Sequence, residues 1–187
     1  MEQLVVGSRS SVVGTRVGAV VLGTALVTLA AQISVPLPGT PVPMTLQPLA
    51  VLLVGGLLGA RLGAASLVLY LTLGIAGLPV LTPTVPLFGI ARLLGPTGGY
   101  LLAYPVAAFA VGALVRDGRE WRRVALGVLA GLALIHLGGL AQLMILTGSL
   151  EGAARLGTLP FLLGDLGKLG VATAVLTKLT PAVRARL

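Results

Sequence analysis

The sequence predicts an all-α, polytopic membrane protein, and three observations carry that prediction. Hydrophobic residues make up 56% of the 187 residues, charged residues only 10%, and the mean hydropathy is +1.05. An ordinary soluble domain carries roughly 25% charged residues, so this chain cannot cover a water-facing surface. Apolar runs near the ~20 residues that cross a hydrocarbon core follow one another along the chain. The basic residues fall between those runs. The length fits one integral membrane domain covering 1–187. The 27 Gly and 12 Pro lie within apolar runs, which excludes a collagen repeat or a disordered linker.

In a soluble protein a net charge of +8 would suggest a nucleic-acid partner. Placed between apolar runs, it is explained by the membrane, and no nucleic acid is expected. The absence of Cys removes disulfides, thiol chemistry and cysteine metal sites. One His and five carboxylates are little material for a metal cluster, so neither metal nor cofactor is expected.

Six spans are expected in order. Met1–Ser11 is polar and lacks the small-residue cleavage pattern of a signal peptide, so Val12–Ile33 reads as a retained first span. Thr15, Ala19 and Gly23 repeat every fourth residue, a spacing that lets another helix approach closely. That helix belongs either to a partner protein or to the chain's own bundle. Thr45–Ala60 and Leu62–Leu78 are short and share Arg61 within Gly59-Ala60-Arg61-Leu62-Gly63. A tight hairpin is preferred over one long helix, because Arg at the bilayer centre costs about 2.5–3.5 kcal/mol. Thr97–Val115, Val124–Leu146 and Pro160–Leu179 complete the set. No internal repeat is visible, so an inverted-repeat transporter is not supported.

Orientation follows from the basic residues. With the N-terminus inside, Arg9, Arg16, Arg61, Arg116, Arg119, Arg122, Arg123, Lys178, Arg184 and Arg186 are cytoplasmic. Arg92 and Arg155 face outside, and Lys168 lies within a span. Ten against two satisfies the positive-inside rule, with both termini cytoplasmic. The outer connections are distinctive. Val35–Pro43 is proline-dense and cannot continue a helix. Leu78–Gly95 contains Pro79, Pro83 and Pro86 and is mostly apolar. It reads as a lid or plug over the helices, or as a segment lying on lipid headgroups.

Chemistry concentrates on the last span, in Pro160-Phe-Leu-Leu-Gly-Asp165-Leu-Gly-Lys168-Leu. Asp165 and Lys168 are i and i+3 and share a helix face. At 1.5 Å per residue they lie about 7 and 12 Å below an outer end near Pro160. Ionisable groups at such depth mark function by default. They either pair with each other or offer an acceptor and a cation to a ligand. Arg92 is a second cation for the same mouth, or a surface arginine at headgroup level. Gln47 offers both donor and acceptor, whereas Thr45 reads as the cap of that helix. Tyr70, Tyr100 and Tyr104 line an apolar pocket or occupy the interfacial belt. His136 has no carboxylate near it in sequence and reads as a satisfied bundle histidine rather than a proton relay. There is no Gly-x-Ser-x-Gly elbow and no P-loop, so no enzyme is expected and ATP hydrolysis must come from another subunit.

Several of these motifs together resemble the BioY family, the biotin-binding S components of energy-coupling factor transporters. They are Pro43-Met44-Thr45-Leu46-Gln47, Gly74-Ile-Ala-Gly77-Leu78-Pro79-Val80, Leu94-Gly95-Pro96-Thr97-Gly98-Gly99-Tyr100 and the Pro160–Lys168 segment. The resemblance runs from Val42 to Lys168 and is most specific at Gly95–Tyr100. Leu81–Phe88 stands where the family has a Gly-rich stretch, and Leu163 where it commonly has Pro.

The resemblance implies a six-helix fold binding biotin at its outer face, in the cell membrane of a prokaryote. It implies partners as well, a transmembrane coupling protein and ABC-type ATPases. Asp165 and Lys168 match the family's ligand positions, Gln47 follows, and Arg92 matches by its place before Leu-Gly-Pro-Thr-Gly-Gly. Asp165 would accept a ureido N–H, Lys168 or Arg92 would pair with the carboxylate, Gln47 would complete the polar contacts, and Tyr100 would line the pocket. The alternatives are a self-sufficient proton-coupled carrier of a small organic anion, titrating at Asp165, and a structural subunit in which Asp165 and Lys168 only pair.

Overall fold

The computed structural model describes residues 2–187, with side chains from Val12 onward. Met1 and the Arg9 side chain, counted above with the basic side, lie outside the described residues. All six apolar runs are helical. α1 is Glu2–Gln32. Short antiparallel strands β1 (Ser34–Val35) and β2 (Met44–Thr45) pair Ser34 with Thr45 across the proline-dense loop. α2 (Gln47–Leu58) and α3 (Ala60–Ile75) follow, then the single turn α4 (Ala91–Leu94). α5 is Gly98–Val115, α6 Trp121–Thr147, α7 Leu150–Gly157 and α8 Leu162–Arg184, the last preceded by a 3₁₀ turn at Leu159–Phe161.

Local sequence sets these limits. Pro48 in the first turn of α2 fits where no intrahelical donor is needed. Between α2 and α3, Gly59 takes φ +86°, a conformation that other residues resist. The chain doubles back there, so a Cβ on Gly63 would sit 2.8 Å from the Cα of Gly55. The tight hairpin is therefore the arrangement, with Arg61 exposed at its tip. α7 was not visible as an element in the sequence, which reads as a loop between the fifth and sixth runs. The Ser149 hydroxyl caps it by accepting from the Gly152 N–H, and Glu151 pairs with Arg155 on its exposed face.

Among the described residues, four segments are long and apolar enough to cross a bilayer: Val12–Gln32, Gly98–Val115, Trp121–Thr147 and Leu150–Arg184. α2 and α3 are shorter apolar helices of 12 and 16 residues. α5 sits centrally against α2, α3 and α6. Its backbone closes on that of α6 where Gly99 and Gly138 meet, since a Cβ on either would strike the other's carbonyl.

The connections sort into two ends. At one, the Arg184 guanidinium donates to the carbonyls of Gly56 and Gly112, and Arg16 donates to that of Leu187. Arg61, Arg116, Arg119, Arg122 and Arg123 lie on the links that meet there. At the other end Thr40 donates to the Leu156 carbonyl and Ser34 to the Thr84 hydroxyl, tying the β-hairpin to α7 and to the loop after α3. Arg92 and Arg155 belong to this second end.

The small-residue face of α1 meets both the bundle and an outward groove. Gly23 is buried within the bundle, where a Cβ would press on Ser66 Oγ and Leu58 of the hairpin. Thr15, Ala19 and Gly23 together border an outward groove that Leu57 and Val183 also line.

Candidate functional site

A cavity of about 590 Å³, counting its open mouth, lies at the end opposite the basic cluster. α2, α5, α6 and α8 form its walls, and the segments 42–48 and 82–97 close over it. Leu101, Leu132, Ile135 and Phe161 make most of its wall apolar, and a few polar side chains converge on it. That composition is typical of small-molecule sites.

The centre of the polar group is Asp165, on the first turns of α8. Its Oδ1 accepts from Lys168 Nζ at 2.9 Å, and its Oδ2 lies 2.6 Å from His136 Nε2. The acid and lysine side chains are only 10% and 9% exposed. Removing two charges from water is costly unless geometry and added hydrogen bonds compensate. The third contact, from α6, supplies that compensation. A carboxylate only accepts, so the imidazole is the donor.

Gln47 opens α2, two residues after the start of the apolar run at Thr45. Its backbone N–H donates to the Thr45 hydroxyl, and its Nε2 donates to the Tyr70 hydroxyl at 2.6 Å. Thr45 thus does cap-like work from one residue before the formal cap position, Leu46. Tyr70, Tyr100 and Tyr104 are 0%, 8% and 3% exposed, so none occupies an interfacial belt. Tyr100 donates to the Gly157 carbonyl, and its ring lies where Gly139 leaves no Cβ. It is both cavity wall and anchor of α7.

Arg92 is 1% exposed, which corrects the reading of a headgroup-level surface arginine. Nη2 donates to the Thr82 carbonyl at 2.7 Å, and Nη1 to the carbonyls of Val85 and Leu87. Burial pushes the guanidinium pKa down from its ordinary value. The residue therefore pins its own loop against the bundle, and only Nε remains without a partner. The loop's outer side stays apolar, with Phe88, Ile90 and Leu94 at 80%, 66% and 70% exposure.

All five site residues expected from the sequence, Asp165, Lys168, Gln47, Arg92 and Tyr100, line this one cavity. His136 and Thr97 line it too and were not expected there. The signal for His136 was a lone imidazole inside an apolar run, where an ionisable group is costly. Thr97 gave no signal beyond its place in the Gly-Pro-Thr-Gly-Gly motif.

The model of the BioY family matches residues 7–185, nearly the whole chain. The chain belongs to the BioY family. Among similar BioY proteins, the probable biotin transporter of Pyrococcus horikoshii is 41% identical over 163 residues, covering 87% of this chain and 94% of that one. The biotin transporter BioY of Thermotoga maritima is 36% identical over 156 residues, covering 83% and 90%. A crystal structure of the S-component for biotin from an ECF-type ABC transporter aligns with a TM-score of 0.80. It is 27% identical and covers 88% of this BioY chain and 90% of its own.

Proposed function

We propose that this chain is a biotin-binding membrane subunit of an energy-coupling factor transporter, a binding and transport protein rather than an enzyme. The observation that carries the reading is the cavity of this BioY-family fold, where a buried carboxylate, ammonium and imidazole meet apolar walls. Biotin matches it, with a ureido head, an apolar thiophane ring and a carboxylate. In this reading Asp165 accepts a ureido N–H, Lys168 or the free Nε of Arg92 meets the carboxylate, and Gln47 and Tyr100 complete the wall. A buried carboxylate without a cation would be prohibitive.

The whole chain, 1–187, acts as one membrane domain with six crossing helices in the cell membrane of a prokaryote, both termini cytoplasmic. The gathering of most described basic residues at one end supports this orientation, and in it the cavity faces outward. The α1 positions Thr15 and Ala19 lie beside a groove that would meet the transmembrane coupling protein, and ABC-type ATPases would supply the energy.

Equilibrium titration of biotin against the detergent-solubilised protein is the direct test. One-to-one saturable binding without a proton gradient is expected, and no binding overturns the reading. Reporter fusions after Arg123 and after Leu187 should both report cytoplasm, and an external signal at either overturns the topology.

A further inference from the structure

We propose that His136 is itself a ligand-binding residue, with Nδ1 accepting a hydrogen bond from an N–H of the bound molecule beside the one that Asp165 accepts. The inference rests on the biotin reading above and deepens it. Lys168 holds one oxygen of Asp165 and His136 Nε2 the other, at 2.9 and 2.6 Å. Since the carboxylate can only accept, Nε2 carries a hydrogen. Asp165 and Lys168 already cancel in charge, and a further cation against apolar walls would be left without a counter-charge. With Nε2 donating to Asp165, the tautomer that carries one hydrogen presents a lone pair at Nδ1.

That lone pair is buried and has no partner among the described residues. Tyr100 stands edge-on at 6.3 Å between ring centres, and its hydroxyl is committed to Gly157. Phe161, at 6.5 Å, has no donor to offer. Among the other cavity groups, Gln47 is engaged with Tyr70 and Arg92 chiefly with its loop carbonyls, and neither the Thr97 nor the Tyr104 hydroxyl is bonded to the imidazole. Buried acceptors in native proteins are nearly always satisfied. His136 lines the cavity, so a molecule bound there can bring the missing donor.

The chemical consequence is selection for two N–H groups. A cyclic urea carries one N–H on each side of its carbonyl, and those two bonds diverge. Asp165 on α8 and His136 on α6 offer two acceptors from two different helices. A ring with a single N–H would leave one of them unpaired in a dry site, which is how polar pockets reject near-isosteres.

The test uses the full chain in detergent, biotin, and two cyclic carbamate analogues in which one or the other ureido N–H is replaced by a ring oxygen. His136→Gln keeps an amide N–H for Asp165 and removes the acceptor at the Nδ1 position. Wild type should bind biotin about tenfold more tightly than either carbamate, the scale of one buried hydrogen bond. His136→Gln should weaken biotin by a similar factor. One carbamate should then bind wild type and variant equally, and the other should lose about tenfold again. Equal losses for biotin and both carbamates overturn the inference while leaving the biotin reading intact. Wild type that binds no biotin overturns both.

Should the variant not fold, nitrogen NMR of the imidazole in wild type decides. Nδ1 should be unprotonated in free protein and shift upfield on biotin binding while Nε2 stays protonated. An imidazolium, or an Nδ1 resonance that biotin does not move, overturns the proposal.

Discussion

The two ends of the bundle each bind an arginine to backbone carbonyls and put it to opposite uses. At the basic end Arg184 reaches from α8 to carbonyls near the ends of α2 and α5, joining three helices far apart in sequence. Beside it lies an aliphatic cluster including Leu52, Val111, Val115, Val128 and Leu176. At the cavity end Arg92 serves carbonyls only five to ten residues away, within its own loop. The cluster there includes Tyr70, Tyr100, Tyr104 and Phe161. Buried side-chain atoms without partners differ in kind as well. Those on α8 toward the basic end are threonine hydroxyls, Thr173 and Thr180, whereas the cavity has, besides the Thr97 hydroxyl, a guanidinium nitrogen and an imidazole nitrogen. One end spends its polar groups holding helices together, and the other keeps some in reserve.

Four substitutions sharpen or break that contrast. The largest expected effect is Lys168→Met, which should reduce biotin affinity by tenfold to a hundredfold or more. Charge-assisted bonds are worth about 1.5–3 kcal/mol each. In isothermal titration, biotin amidated at its carboxylate should bind wild type weakly and lose little further on this substitution. Additive losses would discard Lys168 as the carboxylate partner and promote Arg92.

Arg184→Leu comes second, and its effect should fall on stability alone. It strips charged donors from two buried carbonyls, at a cost of about 2–3 kcal/mol in thermal or denaturant unfolding. Biotin affinity of the folded fraction should stay within twofold. A large loss of affinity would mean that the two ends are coupled. Arg92→Lys should be milder for stability, since a point charge replaces a fork that serves three carbonyls. Label or protease access to the 78–95 segment should rise, and added biotin should restore protection less fully than in wild type. Unchanged access would remove the loop-pinning role. The smallest effect on binding belongs to Ala19→Trp, expected to leave biotin affinity unchanged while uptake into cells falls. Equal loss of both would place Ala19 with Gly23 inside the bundle.

The sequence revealed what depends on spacing along one helix, and concealed what depends on which helices touch. Asp165 and Lys168 were legible because three residues place them on one helical face. The hairpin was legible because Arg61 and two glycines interrupt an apolar run. His136 lies 29 residues before its partner, and their meeting depends on α6 packing through Gly138 and Gly139 against α5. No local pattern encodes that contact. The spacing of Thr15, Ala19 and Gly23 left two readings open for the same reason, since small residues permit close approach without naming the helix that approaches. Arg92 was legible as a cation near the mouth, but its carbonyl partners depend on how a proline-rich loop folds.

The brevity of α2 has an electrical consequence. Twelve residues rise about 18 Å against a hydrocarbon core of about 30 Å. In the proposed orientation, taking Gly59 at the inner boundary, Gln47 would start about 12 Å short of the outer one, or about two-fifths of the way into the field. An anionic group descending to that level from outside moves against an interior-negative potential, at about 0.9 kcal/mol per 100 mV, taken from about 2.3 for full transit. Ligand capture in an energised cell should therefore be some fourfold to fivefold weaker per 100 mV than in depolarised vesicles. An amidated ligand should not feel the voltage at all.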